Sequence, residues 1–290
     1  MSRCIRIIPW LEIKGKNLIK GINMEGLRVL GAPEDFANYY GKNNADEIIY
    51  HDVVASLYGR NSLLETISRT AENIFLPLTV SGGIRSISDI KKILKAGADR
   101  VAINSAAIKN IDFVSKCVEI FGSSTICVNI QTLKDKSGKY YCYYNNGREL
   151  TNIDVFQWVK TIERKGAGEI ILSSIEKDGT FEGFDDELVT KISKIVGIPL
   201  IVHGGCGKPE HIIEVYNNNK EKIAGFALSS ILHYDFVKLG NKKISKKKKE
   251  EGNFEFISNR NSVYSYNYNT TISLFDLKKL LKQRGLPVRS

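Results

Sequence analysis

Two polar residues in this 290-residue sequence stand where apolar, strand-like runs end, and both are candidates for chemistry. Glu12 closes the run IRIIPWLE, and Gln131 closes the run TICVNIQ. A carboxylate at a strand end is either a solvated terminus or a catalytic group. An amide can position a substrate by hydrogen bonds but cannot transfer a proton. Whether these positions are solvated strand ends or parts of a site depends on the residues around them.

Small residues follow four other apolar runs. Gly82-Gly83 and Gly204-Gly205 each come directly after a strand-like run, and Asn104-Ser105 and Ser229-Ser230 occupy the ends of the next runs along the chain. Glycine lets backbone amides approach an anion closely. Glycine pairs also form tight turns, and serines cap helices. Because the four loops form two matching pairs, we predict two phosphate-binding sites.

The chain repeats itself at a fixed spacing of 122 residues. LPLTVSGGI (76–84) matches IPLIVHGGC (198–206), and ADEII (45–49) matches AGEII (167–171). Two matches with one offset indicate a duplicated half. The same alignment places Glu12 near Gln131, at the ends of the first and fifth runs. Two anion sites related by this duplication predict a substrate phosphorylated at both ends.

Eight strand-like runs alternate with amphipathic helical stretches such as SISDIKKILKAGA and VFQWVKTIERKGA, which close at glycine as helix ends often do. This alternation predicts a parallel sheet closed as a (β/α)8 TIM barrel with an internal half-barrel duplication. An open, doubly wound sheet is the alternative. The eight runs are RIIPWL, DEIIYHDV, LPLTV, RVAIN, TICVNI, EIILSSI, IPLIVHG and IAGFALSS.

The net charge of +10 raises the question of nucleic-acid binding, but the charge is unevenly spread. Residues 238–251, KLGNKKISKKKKEE, hold seven lysines and two glutamates, which is half of the excess. Such a block is usually a solvated loop. Since no RNP-like, helix-turn-helix or zinc-finger pattern accompanies it, we expect no nucleic-acid partner.

The remaining composition narrows the class of protein. The five cysteines are scattered and lack CxxC spacing, and the four histidines show no metal-ligand spacing, so we expect no disulfide framework, no bound metal and no cofactor. No apolar run is long enough to span a bilayer, and no secretory signal is recognisable at the N-terminus. The sequence therefore predicts a cytoplasmic protein that does not enter a membrane.

The sequence resembles the cyclase subunit of imidazole glycerol phosphate synthase. This resemblance covers residues 3–234 and 273–290, and it implies a barrel that takes ammonia from a glutaminase partner in a heterodimer. That family cleaves and cyclises a bisphosphorylated aminoimidazole ribonucleotide to imidazole glycerol phosphate and AICAR, in histidine biosynthesis. The matching stretches are IIPWLEIKGK, LIKG, DEIIYHDVVAS, VSGGIRS, GADRVAINSAAI, FGSS, GAGEIILSSIEKDGT, GFD, HGGCGK and SSILHY.

The resemblance also assigns roles to residues. It implies catalytic positions at Glu12 and Gln131, a substrate-binding lysine in the first loop at Lys20, and a second-strand carboxylate at Asp52. It implies a charged gate for ammonia at the bottom of the barrel, although such a ring would equally close the barrel bottom by mutual salt bridges. The gate residues are Arg6, Glu47, Arg100 and Glu169. The phosphate loops fall on Gly82, Gly83, Asn104, Ser105, Asp178, Gly179, Gly204, Gly205, Ser229 and Ser230.

The sequence departs from the family pattern where catalysis is expected. Both catalytic positions are aspartates in the family, whereas here they are Glu12 and Gln131. Ser81 and His203 replace small residues in front of the glycine pairs, and an insertion is expected at about 235–272, between the eighth strand and its helix. These departures resemble second-copy cyclase-like proteins of surface-polysaccharide (lipopolysaccharide) gene clusters. The alternative function is thus an ammonia-channelling protein that supports acetamidino modification of a sugar and has lost cyclase activity.

Overall fold

The computed structural model describes residues 4–55, 63–220, 222–240 and 271–289. Eight parallel strands pair side by side until the last pairs with the first, so the sheet is a closed barrel. This confirms the predicted (β/α)8 fold and excludes the open sheet. The barrel strands are β1 (Arg6–Lys14), β4 (Ile48–Asp52), β5 (Leu78–Ser81), β6 (Arg100–Ile103), β7 (Ile126–Lys134), β10 (Glu169–Ser174), β11 (Leu200–His203) and β12 (Ile223–Leu228).

Each half of the barrel begins with the same elaboration. Strand β1 continues into an antiparallel hairpin of β2 (Asn17–Ile22) and β3 (Glu25–Gly31). Strand β7, the first strand of the second half, continues into a hairpin of β8 (Tyr140–Tyr144) and β9 (Glu149–Asp154). The two halves share this architecture as well as the sequence repeat. Both hairpins rise from the carboxyl-terminal face of the barrel, where the predicted catalytic and phosphate-binding residues lie.

Helices cover the outside of the barrel and bury their apolar faces against it. Their ends follow local sequence signals: Ser86 and Asp89 form a reciprocal capping box, Asp154 caps the helix after β9, and Gly97 and Gly166 take positive φ angles just past helix ends. The helices are α1 (Pro33–Lys42), α2 (Leu64–Ala71), α3 (Ile87–Lys95), α4 (Ser105–Lys109), α5 (Asp112–Phe121), α6 (Val155–Arg164), α7 (Asp186–Ser193), α8 (Pro209–Asn218), α9 (Ser230–Gly240) and α10 (Leu274–Gln283).

The barrel interior is arranged in layers because alternate residues of each strand point inward. Charged residues occupy the amino-terminal ends of the strands, and polar residues occupy the carboxyl-terminal ends. Between them lies an apolar cluster that is separate from the larger core under the helices. The members of this inner cluster are Ile8, Trp10, Ile49, Ala102, Cys127, Ile171, Ile201 and Ala227.

The predicted insertion at about 235–272 stays a prediction, because only its two ends are among the described residues. Helix α9 starts just after β12 and continues to Gly240, so residues 235–240 are helical. Val237 is buried and Phe236 packs against the core, which explains why the helix extends this far. Residues 241–270, with most of the lysine-rich run, lie outside the described residues.

Candidate active site

A buried cluster of opposite charges occupies the mouth of the barrel. Glu12 lies on β1, Lys20 lies on the hairpin strand β2, and Asp178 lies in the loop after β10. The Lys20 ammonium donates to both Glu12 carboxylate oxygens at 3.0 Å and to Asp178 Oδ2 at 2.8 Å. All three side chains are at most 5% exposed. The predicted first-loop lysine thus lies on a strand and ties the carboxylates of the two barrel halves together.

The two carboxyl groups contact the same ammonium, yet their pKa values shift in opposite directions. Burial raises the pKa of Glu12 to about 7, although the Lys20 charge opposes this. Burial also acts on Asp178, but the Lys20 charge and hydrogen bond outweigh it and hold the Asp178 pKa below its ordinary value. The two carboxylates in turn raise the pKa of Lys20 against the effect of burial, so the ammonium stays charged. Glu12 is therefore the member of the cluster that can gain and lose a proton near neutral pH.

His203 joins this cluster, which the spacing of the histidines in the sequence did not reveal. Glu12, Asp178 and His203 each place one potential metal-ligating atom within 4.8 Å of the other two, an arrangement that could hold a metal ion. The Lys20 ammonium, however, already bonds to both carboxylates. The positive charge these two residues bind is that of Lys20, and this favours the prediction of a site that works without a metal.

Gln131 is anchored rather than free at the opposite side of the mouth. Its Oε1 accepts hydrogen bonds from Asn104 Nδ2 and from the Gly147 amide, both at 3.0 Å. Both partners are donors, so the chemistry fixes which amide atom is the oxygen. Gly147 belongs to the turn of the β8–β9 hairpin, so Gln131 holds that turn against the predicted phosphate loop after β6. Sequence reasoning missed this contact.

The first pair of predicted phosphate loops forms one cleft of about 420 Å³ at the ends of β5 and β6. Gly82 has a φ of +94°, and a Cβ there would lie 2.3 Å from the Asp52 carbonyl oxygen, so only glycine fits. The structure therefore brings together the predicted residues of this half, and polar residues that were not predicted also line the cleft. The lining includes Asp52, Gly82, Gly83, Asn104, Ser105 and Gln131 together with the additions His51, Arg85 and Asn146.

The second pair of loops forms a smaller cleft of about 230 Å³ at the ends of β11 and β12. Gly204 and Gly205 have φ angles of +99° and +106°, and a Cβ on Gly205 would lie 2.0 Å from the Gly183 carbonyl oxygen. Strands β11 and β12 are half a barrel away from β5 and β6. Phosphate binding at the two clefts stays a prediction. The lining includes Gly179, Gly204, Gly205, Ser229 and Ser230.

The four predicted gate residues form a closed ring at the amino-terminal end of the barrel. Arg6 bonds to Glu47 at 2.7 Å and also to Glu169. Arg100 lies 2.6 Å from Glu169 and 3.6 Å from Glu47. Both glutamates are 2% exposed, while the arginines remain partly open to solvent. Both sequence interpretations thus remain open: the ring closes the barrel bottom, and its arginines can be reached by a partner on that face.

Comparison with known proteins agrees with this geometry. The fold and its paired clefts define a half-barrel-duplicated TIM barrel with a charged residue cluster at its mouth. The chain belongs to the family described as histidine biosynthesis protein, whose family model matches residues 6–238.

Several relatives carry the name imidazole glycerol phosphate synthase subunit HisF. One from Legionella pneumophila is 50% identical over 206 residues, which is 71% of this chain and 97% of that protein. One from Methanocaldococcus jannaschii is 43% identical over 248 residues, covering 79% and 90%. One from Clostridium botulinum is 42% identical over 249 residues, covering 85% and 96%. Among the described residues, no helix is both long and apolar enough to cross a bilayer.

Proposed function

We propose that this chain is the cyclase subunit of a glutamine amidotransferase of the imidazole glycerol phosphate synthase type. It receives ammonia from a separate glutaminase subunit, with which it forms a heterodimer. With that ammonia it cleaves and cyclises a bisphosphorylated aminoimidazole ribonucleotide to imidazole glycerol phosphate and AICAR, in histidine biosynthesis. The family and the names of its relatives support this assignment.

The observation that carries the proposal is the position of Glu12 between two clefts. The clefts lie at opposite sides of the mouth, and the carboxyl group with a pKa of about 7 lies in the same mouth. A substrate with a phosphate at each end would span the mouth and present its middle to Glu12. Burial excludes bulk water from that carboxyl, and this favours proton exchange with substrate.

In this proposal, each group of residues has a separate role in binding the substrate or moving the proton. The glycine-rich loops bind the two phosphates through backbone amides, and Arg85 adds a positive charge beside one of them. Lys20 keeps Asp178 ionised and orients the Glu12 carboxyl. Glu12 then moves the proton, and Gln131 positions substrate with its Nε2 donors because its oxygen is already occupied.

The anchored amide of Gln131 also favours a second candidate function. A residue that cannot ionise and that is held by Asn104 and Gly147 suits a protein that conducts ammonia without cyclase chemistry. In that case the chain supports acetamidino modification of a surface-polysaccharide sugar.

A steady-state assay with the bisphosphate substrate and an ammonium salt separates the two functions. The cyclase proposal requires turnover of about 1 to 10 per second, a typical enzyme rate. If the substrate binds but is consumed no faster than in buffer, the second function replaces the first.

Gln131→Asp is expected to raise this turnover at least about tenfold, because a second carboxylate restores the missing half of an acid–base pair. A carboxylate can still accept the hydrogen bonds that Gln131 receives from Asn104 and Gly147. Gln131→Asn is the matched control, since it has the same length as aspartate and cannot ionise. Equal rates in both variants would show that ionisation at this position does not matter.

Arg100→Glu is expected to uncouple glutamine use from ammonia use. The change leaves Glu47 and Glu169 with only Arg6 and adds a third carboxylate to the ring. Glutamine-dependent turnover of the heterodimer should fall at least about tenfold, or about 1.4 kcal/mol. Turnover with ammonium salt should change by less than about threefold in the same preparation.

Arg69→Glu provides the control for this change, because Arg69 pairs with Glu34 and Glu65 on the outside of the barrel. It should leave both rates unchanged. A parallel loss of both rates in Arg100→Glu would point to misfolding rather than to a gate.

A further inference from the structure

His51 is a buried ionisable residue at the mouth of the barrel to which the proposed function gives no role. It lies near the end of β4, where it pairs in the sheet with Glu12 of β1. Its ring is 5.0 Å from the ring of Trp10, a member of the inner apolar cluster, so His51 also points into the barrel. It lines the first cleft together with Gln131. His51 therefore lies between Glu12 and the cleft that we expect to bind one end of the substrate.

The duplication of the barrel shows that its two halves differ at this position. At the repeat spacing of 122 residues His51 matches Ser173, and the same alignment places Glu12 near Gln131. Neither Gln131 nor Ser173 can exchange a proton near neutral pH. Their counterparts in the first half, a carboxyl group and an imidazole, both can. At these paired positions, the groups that could form an acid–base pair thus belong to the first half of the mouth.

Hydrogen bonding leaves one nitrogen of His51 with a free lone pair. Its Nε2 lies 3.0 Å from Oδ1 of Asn146, in the turn of the β8–β9 hairpin, and an amide oxygen can only accept, so Nε2 carries the ring proton. Nδ1 is buried and has no partner among the described residues. Burial lowers the pKa of His51 even though the bond to Asn146 opposes this, so the ring is neutral at pH 7. A neutral imidazole with an unpaired lone pair is suited to act as a general base.

We propose that His51 is a second catalytic residue, which takes a proton from ammonia while Glu12 gives one to the substrate. This inference rests on the proposed function. When ammonia adds to a carbon that is doubly bonded to oxygen or nitrogen, a C–N bond forms and the π electrons move to that oxygen or nitrogen. His51 Nδ1 accepts one proton from the added ammonia nitrogen, and the Glu12 carboxyl protonates the atom that received the π electrons. Two neighbouring strands of one half then supply both proton transfers.

The proposal gives the rate a bell-shaped dependence on pH. Glu12 must hold its proton, so the rate should fall above its pKa of about 7. His51 must be neutral, so the rate should also fall as the pH drops through its pKa, which burial places below 6.5. The charged and titratable groups around His51 are Glu12 on β1, Lys20 on β2, Asp52 on its own strand, Arg85 beside the cleft, Asp178 after β10 and His203 on β11.

His51→Gln tests this chemistry against the simpler role of holding the hairpin turn. The glutamine amide can still donate to Asn146 but cannot take a proton. We expect kcat for ammonia-dependent turnover of the bisphosphate to fall by about 10² to 10⁴, with KM changed less than about threefold and the acidic limb of the pH profile lost. Asn146→Gly is the matched comparison, because it removes the same hydrogen bond and glycine tolerates the φ of +59° at this position. It should cost less activity than His51→Gln.

His51→Ala adds a readout that separates basicity from packing. Free imidazole should restore part of the lost turnover, whereas pyrazole, a ring of the same size and a much weaker base, should not. Equal rescue by the two rings would show that His51 only fills space beside Trp10. If His51→Ala does not fold, the comparison of His51→Gln with Asn146→Gly decides. The gain from Gln131→Asp should also be larger in the His51→Gln background than in the wild type, because the new carboxylate then replaces a missing base.

Three results would overturn this proposal and leave the cyclase assignment intact. They are a His51→Gln rate within about threefold of wild type, a loss no larger than that of Asn146→Gly, and an acidic limb that persists in His51→Gln. A wild-type chain that binds the bisphosphate without turning it over would instead overturn the cyclase assignment, and this inference with it.

Discussion

Glu12→Gln is expected to lower ammonia-dependent turnover by about 10² to 10⁴, the range that general acid–base groups contribute. Glutamine keeps the length of the side chain and still offers one oxygen to Lys20, so the mouth should keep its shape. The wild-type rate should show an inflection near pH 7, because burial raises the pKa of Glu12 to about that value. The variant should lack this inflection. The measurement is kcat and KM for the bisphosphate across pH.

Glu12→Asp is the matched control for this prediction, because it retains a carboxyl group that is one methylene shorter. It should keep more activity than Glu12→Gln. Binding of the bisphosphate should be unaffected in both variants, since the clefts are formed by other residues. A Glu12→Gln rate within about threefold of wild type would remove Glu12 from the reaction.

Lys20→Met is expected to destabilise the fold by about 3–5 kcal/mol at neutral pH, as is typical when one partner of a buried ion pair is removed. The change leaves two buried carboxyl groups, Glu12 and Asp178, without the ammonium that both contact. The free energy of unfolding is measured by urea denaturation across pH. Glu12→Gln in the Lys20→Met background should recover part of the loss, because one of the two unpaired carboxylates is then gone.

The pH dependence of this deficit has a definite sign. Burial is the largest effect on both carboxyl groups, and without Lys20 the main contact that opposes it is gone, so their folded-state pKa values rise. A group whose folded pKa is raised contributes stability below its unfolded pKa, and this contribution is lost as pH rises through the folded value. The deficit should therefore be smallest below 4.5, the ordinary pKa of glutamate, and should grow as the pH rises past 7. A deficit independent of pH would show that Lys20 acts by packing alone.

Much of this architecture follows from the sequence because it depends on local or repeated signals. The alternation of strand and helix patterns predicts the barrel, and the 122-residue repeat predicts that the two glycine-rich clefts face each other across the mouth. Positive φ angles at Gly82 and Gly204 explain why glycine recurs at these positions. These features can be predicted from the 122-residue repeat and from the geometry of a closed eight-stranded barrel alone.

Other parts of the site depend on side chains that meet only after the barrel closes. The bond between Gln131 and Gly147 requires the β8–β9 hairpin to fold back over the mouth, and the stacking of Trp10 on His203 joins β1 to β11. No spacing within the sequence signals such contacts. The sequence does show that Trp10 and Glu12, two residues apart on one strand, share its inward face, but not which residues they meet there.

The most direct test of the account follows the nitrogen of ammonia into product. Wild-type chain is incubated with the bisphosphorylated aminoimidazole ribonucleotide and ¹⁵N-labelled ammonium salt, and the products are analysed by mass spectrometry. We expect imidazole glycerol phosphate with one labelled ring nitrogen, formed together with unlabelled AICAR, and almost none of either with Glu12→Gln. Unchanged substrate in the wild-type reaction, under conditions where the substrate is shown to bind, would contradict the assignment of this chain as an ammonia-using cyclase.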